Sequence, residues 1–176
     1  MVSTNAGGVK VLRYGLTLHP EKTRLLDFRH PWRRPNDPPP PPGQRRSRSF
    51  DFLGFRHIWM KTSKGGFAVR PQTASPRLSR ALQAINQWCR DNRHRPLDDQ
   101  HRELLAKLRG HYGYYNRIGN GRALAAFRSR LIDLWQRWLN RRSQRARLWW
   151  HRFRRVLARF PFPHARVLTT HATAKP

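Results

Sequence analysis

At 176 residues the chain is long enough for one ordinary domain or two small ones, and a hydrophobic fraction of 38% is sufficient for a modest core. Lys+Arg 37 against Asp+Glu 9 leaves a formal charge of +28 and a pI near 12.0, a surface that recruits polyanions unaided. No apolar run reaches about 18 residues, which excludes a spanning helix, and the single cysteine, Cys89, excludes an intramolecular disulfide and a multi-cysteine zinc site.

In chain order, Val9 to Phe28 mixes apolar and basic residues around Gly15 and His19-Pro20, and predicts a short helix end followed by a strand at Arg24–Phe28. Pro38 to Pro42, flanked by Arg33-Arg34 and Arg45-Arg46, can neither pair in a sheet nor continue a helix, so residues 29–49 are expected as an exposed loop. Phe50, Phe52, Phe55 and Ile58 alternate with polar residues as in a strand. Lys61-Thr62-Ser63-Lys64-Gly65-Gly66 is turn chemistry, and Phe67–Arg70 reads as the returning strand of a β-hairpin.

Beyond Ser75 the pattern is helical. Ser75 is expected as an N-cap with Pro76 at the first helical position, and Leu78, Leu82, Ile85, Trp88 and Cys89 share one face up to about Asn92. A second helix is expected to be capped by Asp98 or Asp99, to carry Leu104, Leu105, Leu108, Tyr112 and Tyr115, and to break at Gly119-Asn120-Gly121. A third places Leu124, Phe127, Leu131, Leu134, Trp135, Trp138 and Leu139 on a core stripe. A fourth is predicted from Ser143 through Leu148, Trp149, Phe153, Val156 and Leu157 to Phe160-Pro161, with a frayed tail after Pro163. The fold class expected is α+β: a small N-terminal piece over 1–74, a helical module over 75–163 and a flexible tail over 164–176.

Three blocks carry a family resemblance. Tyr14-Gly15-Leu16-Thr17-Leu18-His19-Pro20-Glu21-Lys22-Thr23-Arg24 resembles the palm motif that follows the catalytic aspartates in group II intron-encoded reverse transcriptases. Phe50-Asp51-Phe52-Leu53-Gly54-Phe55 resembles that family's primer-grip hairpin. Arg109-Gly110-His111-Tyr112-Gly113-Tyr114-Tyr115-Asn116, followed by Asn120, the third helix and Arg141-Arg142-Ser143-Gln144, resembles its thumb, or maturase-specific X domain. The resemblance implies a palm remnant followed by a thumb/maturase module. In the family the paired aspartates stand upstream of the first block, where this sequence starts, so the expectation is a fragment without its own polymerase centre. The one adjacent acidic pair, Asp98-Asp99, reads as helix capping instead.

The residues and the resemblance together give the functional expectation: an RNA-binding maturase-type fragment that assists intron folding and splicing, with group II intron RNA as partner. Arginine greatly outnumbers lysine, and its planar fork both grips phosphate and stacks on bases, which favours RNA over an anionic membrane. Between His101 and Phe160 the basic residues face only Glu103 and Asp133. The expected RNA contacts are Arg109, His111 and Asn116 on the exposed half of the Tyr-rich block, Arg122, Arg141, Arg142 and Arg145 in the module, and Lys22 as a phosphate contact.

No cofactor is expected, with Mg²⁺ entering only if a partner supplies the polymerase aspartates. The nine histidines show no His-Glu-x-x-His-like spacing, so no metal site is expected. The polar start, Met1 to Lys10, is unlike a signal peptide, and a reduced cytoplasmic location is expected. Two other readings stay open: the C-terminal half of a split RNA-directed DNA polymerase completed by an N-terminal partner, and a nonfunctional remnant.

Overall fold

A computed structural model describes residues 3–5, 8–11, 16–17, 26, 28, 49–62, 65–143 and 148–166. The chain forms two compact units, Met1–Arg48 and Ser49–Pro176. In the first, β1 (Ser3–Asn5), β2 (Gly8–Val11) and β3 (Leu16–Thr17) make an antiparallel sheet in that order, with Thr4 opposite Val9 and Val11 opposite Leu16. Of residues 9–28, expected to hold a short helix end and then a strand, the described residues 9–11 and 16–17 are strand and neither Leu26 nor Phe28 belongs to one. Lys22 and the proline run lie outside the described residues.

The second unit is α+β. Its sheet is a meander of β4 (Ser49–Phe52), β5 (Phe55–Lys61) and β6 (Phe67–Thr73), all antiparallel. Two adjacent left-handed residues, Leu53 (φ 48) and Gly54 (φ 80), turn β4 into β5, the two-residue loop whose twist suits paired strands. The alternation from Phe50 to Ile58 thus covers two strands folded on each other, with Phe52 opposite Phe55, rather than one. The Tyr114 hydroxyl donates to Leu53 O (2.8 Å) and holds the turn. Glycine is needed at 54 because a Cβ there would lie 3.1 Å from the Tyr115 hydroxyl on an already left-handed backbone. The second turn falls at Thr62–Gly66 as expected, with Thr62 N–H donating to Gly66 O (2.8 Å).

β6 continues past Arg70 through Pro71 to Thr73 because it is an edge strand. Ala74 N–H donates to Gly54 O (3.0 Å), so alternate residues from Ala74 back face β5, and the Pro71 nitrogen points to the open edge, where no donor is lost. Thr73 N–H also points outward, and it donates to Asn120 Oδ1 (2.8 Å). The composition shift at Pro71–Ser75 marks the passage from sheet to helix inside one compact unit.

Four helices follow among the described residues: α1 (Ser75–Asp91), α2 (Leu97–Tyr115), α3 (Gly121–Asn140) and α4 (Trp150–Arg159). Ala74, not Ser75, is the N-cap of α1, and Pro96 rather than Asp98 or Asp99 is that of α2. The two aspartates stand in the first turn of α2, where their charge suits the helix dipole, and Asp99 pairs with Arg102 (3.2 Å). The core is shared by Leu82, Ile85 and Cys89 of α1, Leu104 and Leu108 of α2, Phe127, Leu131, Trp135 and Leu139 of α3, and Phe153 of α4.

Two polar groups inside this core pair with each other, while the buried His111 Nε2 has no hydrogen-bond partner among the described residues. Trp135 Nε1 donates to Gln100 Oε1 (2.9 Å), and Gln100 Nε2 donates to Arg95 O (2.8 Å). After α4, Phe162 is buried and the chain returns over α2: the Tyr112 hydroxyl donates to Pro163 O (3.2 Å) and Asn116 Nδ2 to Arg166 O (2.7 Å). The segment His164–Arg166 is therefore tied to α2 instead of fraying. No helix among the described residues is long and apolar enough to cross a membrane.

Candidate nucleic-acid interface

A strongly basic surface is built on α4 (Trp150–Arg159), which starts later than the Ser143 expected from sequence. Leu148 N–H donates to Asn140 Oδ1 and Leu148 O accepts from Gln136 Nε2 (3.0 Å), so α3 side chains use both backbone groups of Leu148 before a helix can. Trp149, extended at ψ 155, becomes the N-cap. Phe153 then packs edge-on against Trp135 (5.7 Å), and Phe160 and Phe162 close on the same indole at 6.5 and 5.5 Å. The inner face of α4 is thereby consumed by the core.

What remains outside is cationic. Arg152, Arg155 and Arg159 are exposed and recur at spacings of three and four, so they form one stripe away from Phe153. Arg154 is exposed on the turn after Trp150, and α4 contains no acidic residue. Among the described residues Arg56 pairs with Asp51 (2.8 Å) and Arg102 with Asp99 (3.2 Å), and neither pair involves α4. The Asp51 carboxyl is held below its usual range chiefly by the hydrogen bond from Arg56.

The residues singled out from sequence do not converge. Arg109 is exposed on α2, and Arg122 and Arg141 are exposed at opposite ends of α3, about 28 Å apart by helical rise. Arg141 lies over the Trp138 ring at 5.0 Å, and Arg142 donates to Arg95 O, which commits part of its fork to the protein. Asn116 is the C-cap residue of α2 and its amide is engaged with Arg166 O. Arg145 and Lys22 lie outside the described residues. An open cleft of about 470 Å³, lined by Val69, Arg70, Pro71, Asn116, Arg117 and Ile118, runs beside the β6 edge.

His111 departs most from expectation. It is buried, not exposed, and its ring stacks on Phe127 at 3.7 Å, so it packs the α2–α3 interface and has no free face for RNA. Burial pushes its pKa down to about 4 from 6.5. Because the folded pKa is depressed, the unfolded chain takes up a proton below pH 6.5 that the native state refuses, and stability falls with pH across the window from 6.5 to about 4. Urea unfolding near neutral pH and at about pH 4.5 is expected to differ by on the order of 2 kcal/mol from this group. That part of the difference should vanish in His111→Phe; an unchanged pH dependence in the variant would show that the ring titrates normally.

Comparison with protein families, curated proteins and solved structures finds no match. The chemistry of the surface must speak for itself. Burial pushes the Cys89 thiol up to about 12, which removes it as a nucleophile at neutral pH. Among the described residues no three His, Cys, Asp or Glu side chains form a group that could hold a metal ion. What the arrangement can do is bind: guanidinium groups on a rigid helix offer forked donors to phosphate oxygens.

Missed in the sequence were the arginine stripe of α4 and the exposure of Trp149 and Trp150. Trp149 stands four residues before Phe153, a spacing that reads as core as long as the helix is taken to start at Ser143. The later start removes Trp149 from that face.

Proposed function

We propose that this chain is an RNA-binding, maturase-type module of the group II intron reverse transcriptase kind, which holds folded intron RNA through phosphates and shape and thereby assists its splicing. The observation that carries the RNA part of this reading is α4: a helix whose apolar side is spent on the core and whose outer side is arginine without a single carboxylate. A solvated face of a monomeric helix ordinarily mixes both signs. The word intron rests on the three sequence blocks alone.

The reading also draws on the unit that holds the second and third blocks. Phe50–Phe55 forms a tight hairpin whose turn is tied to Tyr114 of the third block, so the two blocks belong to one continuous surface. Mg²⁺ and an N-terminal fragment carrying the aspartate pair enter only under the split-polymerase alternative, which no feature of the described residues favours over binding.

Competition binding tests the proposal. At near-physiological salt, where nonspecific attraction has weakened, a group II intron RNA is expected to displace a labelled intron fragment well before an equal length of unrelated structured RNA does. Equal displacement by intron RNA, unrelated RNA and heparin would leave a nonspecific basic protein and end the maturase reading.

A further inference from the structure

Two adjacent tryptophans stand in water at the start of α4. Trp149 is 58% exposed and Trp150 47%, whereas Trp135 is fully buried in the same unit. Trp150 meets Phe153 edge-on (5.6 Å, 71°), and Phe153 is locked against Trp135, so the Trp150 ring is held in place while much of its surface stays open. Trp149 is fixed as the extended N-cap residue.

The surroundings of the pair are cationic. Arg154 follows Trp150 by one helical turn, and Arg152 and Arg155 are exposed on the same helix. No side chain caps α4 and no acidic residue stands in its first turn, so the partial positive charge of the helix start is left uncompensated.

We infer that Trp149 and Trp150 form a stacking platform for unpaired bases of RNA, with the α4 arginines gripping the flanking phosphates. This rests on the RNA-binding reading and adds to it the class of RNA taken: single-stranded loops, bulges or ends. Base faces are hidden inside a duplex and are offered to an aromatic ring only where the strand is unpaired. An anionic membrane would also attract tryptophan beside arginine. An interfacial helix, however, lies with its apolar face in the acyl boundary, and here Phe153, Phe160 and the partly buried Val156 and Leu157 already face the core.

The test uses the full chain and two labelled RNAs of equal length: a hairpin with a purine-rich unpaired loop, and a perfect blunt duplex. Alanine at both positions (Trp149→Ala with Trp150→Ala) is expected to weaken binding to the looped hairpin by about tenfold or more, since each stacked base contributes that order of affinity. Binding to the duplex and the slope of log affinity against log salt should not change, because stacking releases no counterions. Phenylalanine at both positions should restore most of the loop preference, and circular dichroism should match the parent in both variants.

Unaltered hairpin binding, or an equal loss on hairpin and duplex, would overturn the platform. So would an alanine pair that fails only on vesicles of anionic phospholipid while RNA binding is retained. Neither RNA is an intron, so the outcomes separate. Loss of intron preference with loop discrimination intact removes the maturase reading and leaves the platform, and the reverse result removes the platform alone.

Discussion

Asn120→Ala is expected to destabilise the second unit by about 3 kcal/mol, read as a lower urea midpoint at unchanged slope. Asn120 is fully buried where the sheet meets the turn between α2 and α3. Its Oδ1 accepts the outward N–H of Thr73 (2.8 Å), and its Nδ2 donates to Thr73 Oγ1 (2.8 Å) and Tyr115 O (2.7 Å). Alanine would leave the buried Thr73 N–H and the Thr73 hydroxyl without their partner, each costing about 1–3 kcal/mol, while Tyr115 O would keep the bond it accepts from Arg117 N–H (2.8 Å). Hydrogen exchange should quicken first in β6, with the α1–α3 core still protected. A loss below about 1 kcal/mol would show that water or a neighbour replaces the amide.

The same corner tolerates little else. Gly119 is left-handed (φ 94), and a Cβ there would lie 2.9 Å from Arg70 Cβ, an atom that cannot swing aside as a side-chain end can. Gly119-Asn120 therefore does more than break a helix: it lets the sheet edge approach and then bonds to it.

Much of the helical unit was legible because a stripe at three-and-four spacing has one economical burial. Leu124, Phe127, Leu131, Trp135 and Leu139 are buried in α3 as the periodicity requires, and the α+β class follows from the same patterns. Helix starts were not legible at that level. Ser143 and Asp98 have the side chains of good caps, but tertiary bonds to Leu148 and the restricted backbone at Pro96 decided the starts instead.

The candidate site was harder still. His111 is polar by type, yet a neutral imidazole stacked on Phe127 packs like an aromatic ring. Leu53 is apolar by type, yet it sits exposed in a left-handed turn that pattern alone would give to Asn or Gly. Charge in the sequence raised the expectation of a polyanion partner, but the exposure of Trp149 depends on where α4 begins, and that depends on two side chains of α3.

The arginine stripe should reveal itself most strongly through salt. If the chain meets RNA with at least about six phosphate contacts, raising monovalent salt from about 50 to about 200 mM is expected to weaken binding by about a thousandfold, through release of condensed counterions. Replacing Arg152, Arg155 and Arg159 together with alanine should flatten the log–log slope by about 2 to 3 units, near one per lost contact, on looped and duplex RNA alike. The pair Arg141→Ala with Arg142→Ala should flatten it by less, because Arg142 already donates to Arg95 O and Arg141 lies over Trp138. All three stripe residues are exposed, so native helicity and the urea midpoint should persist in the triple variant. If the slope of the triple variant equalled that of the parent, phosphate would be held elsewhere on the molecule, and α4 would lose its place as the RNA-facing helix.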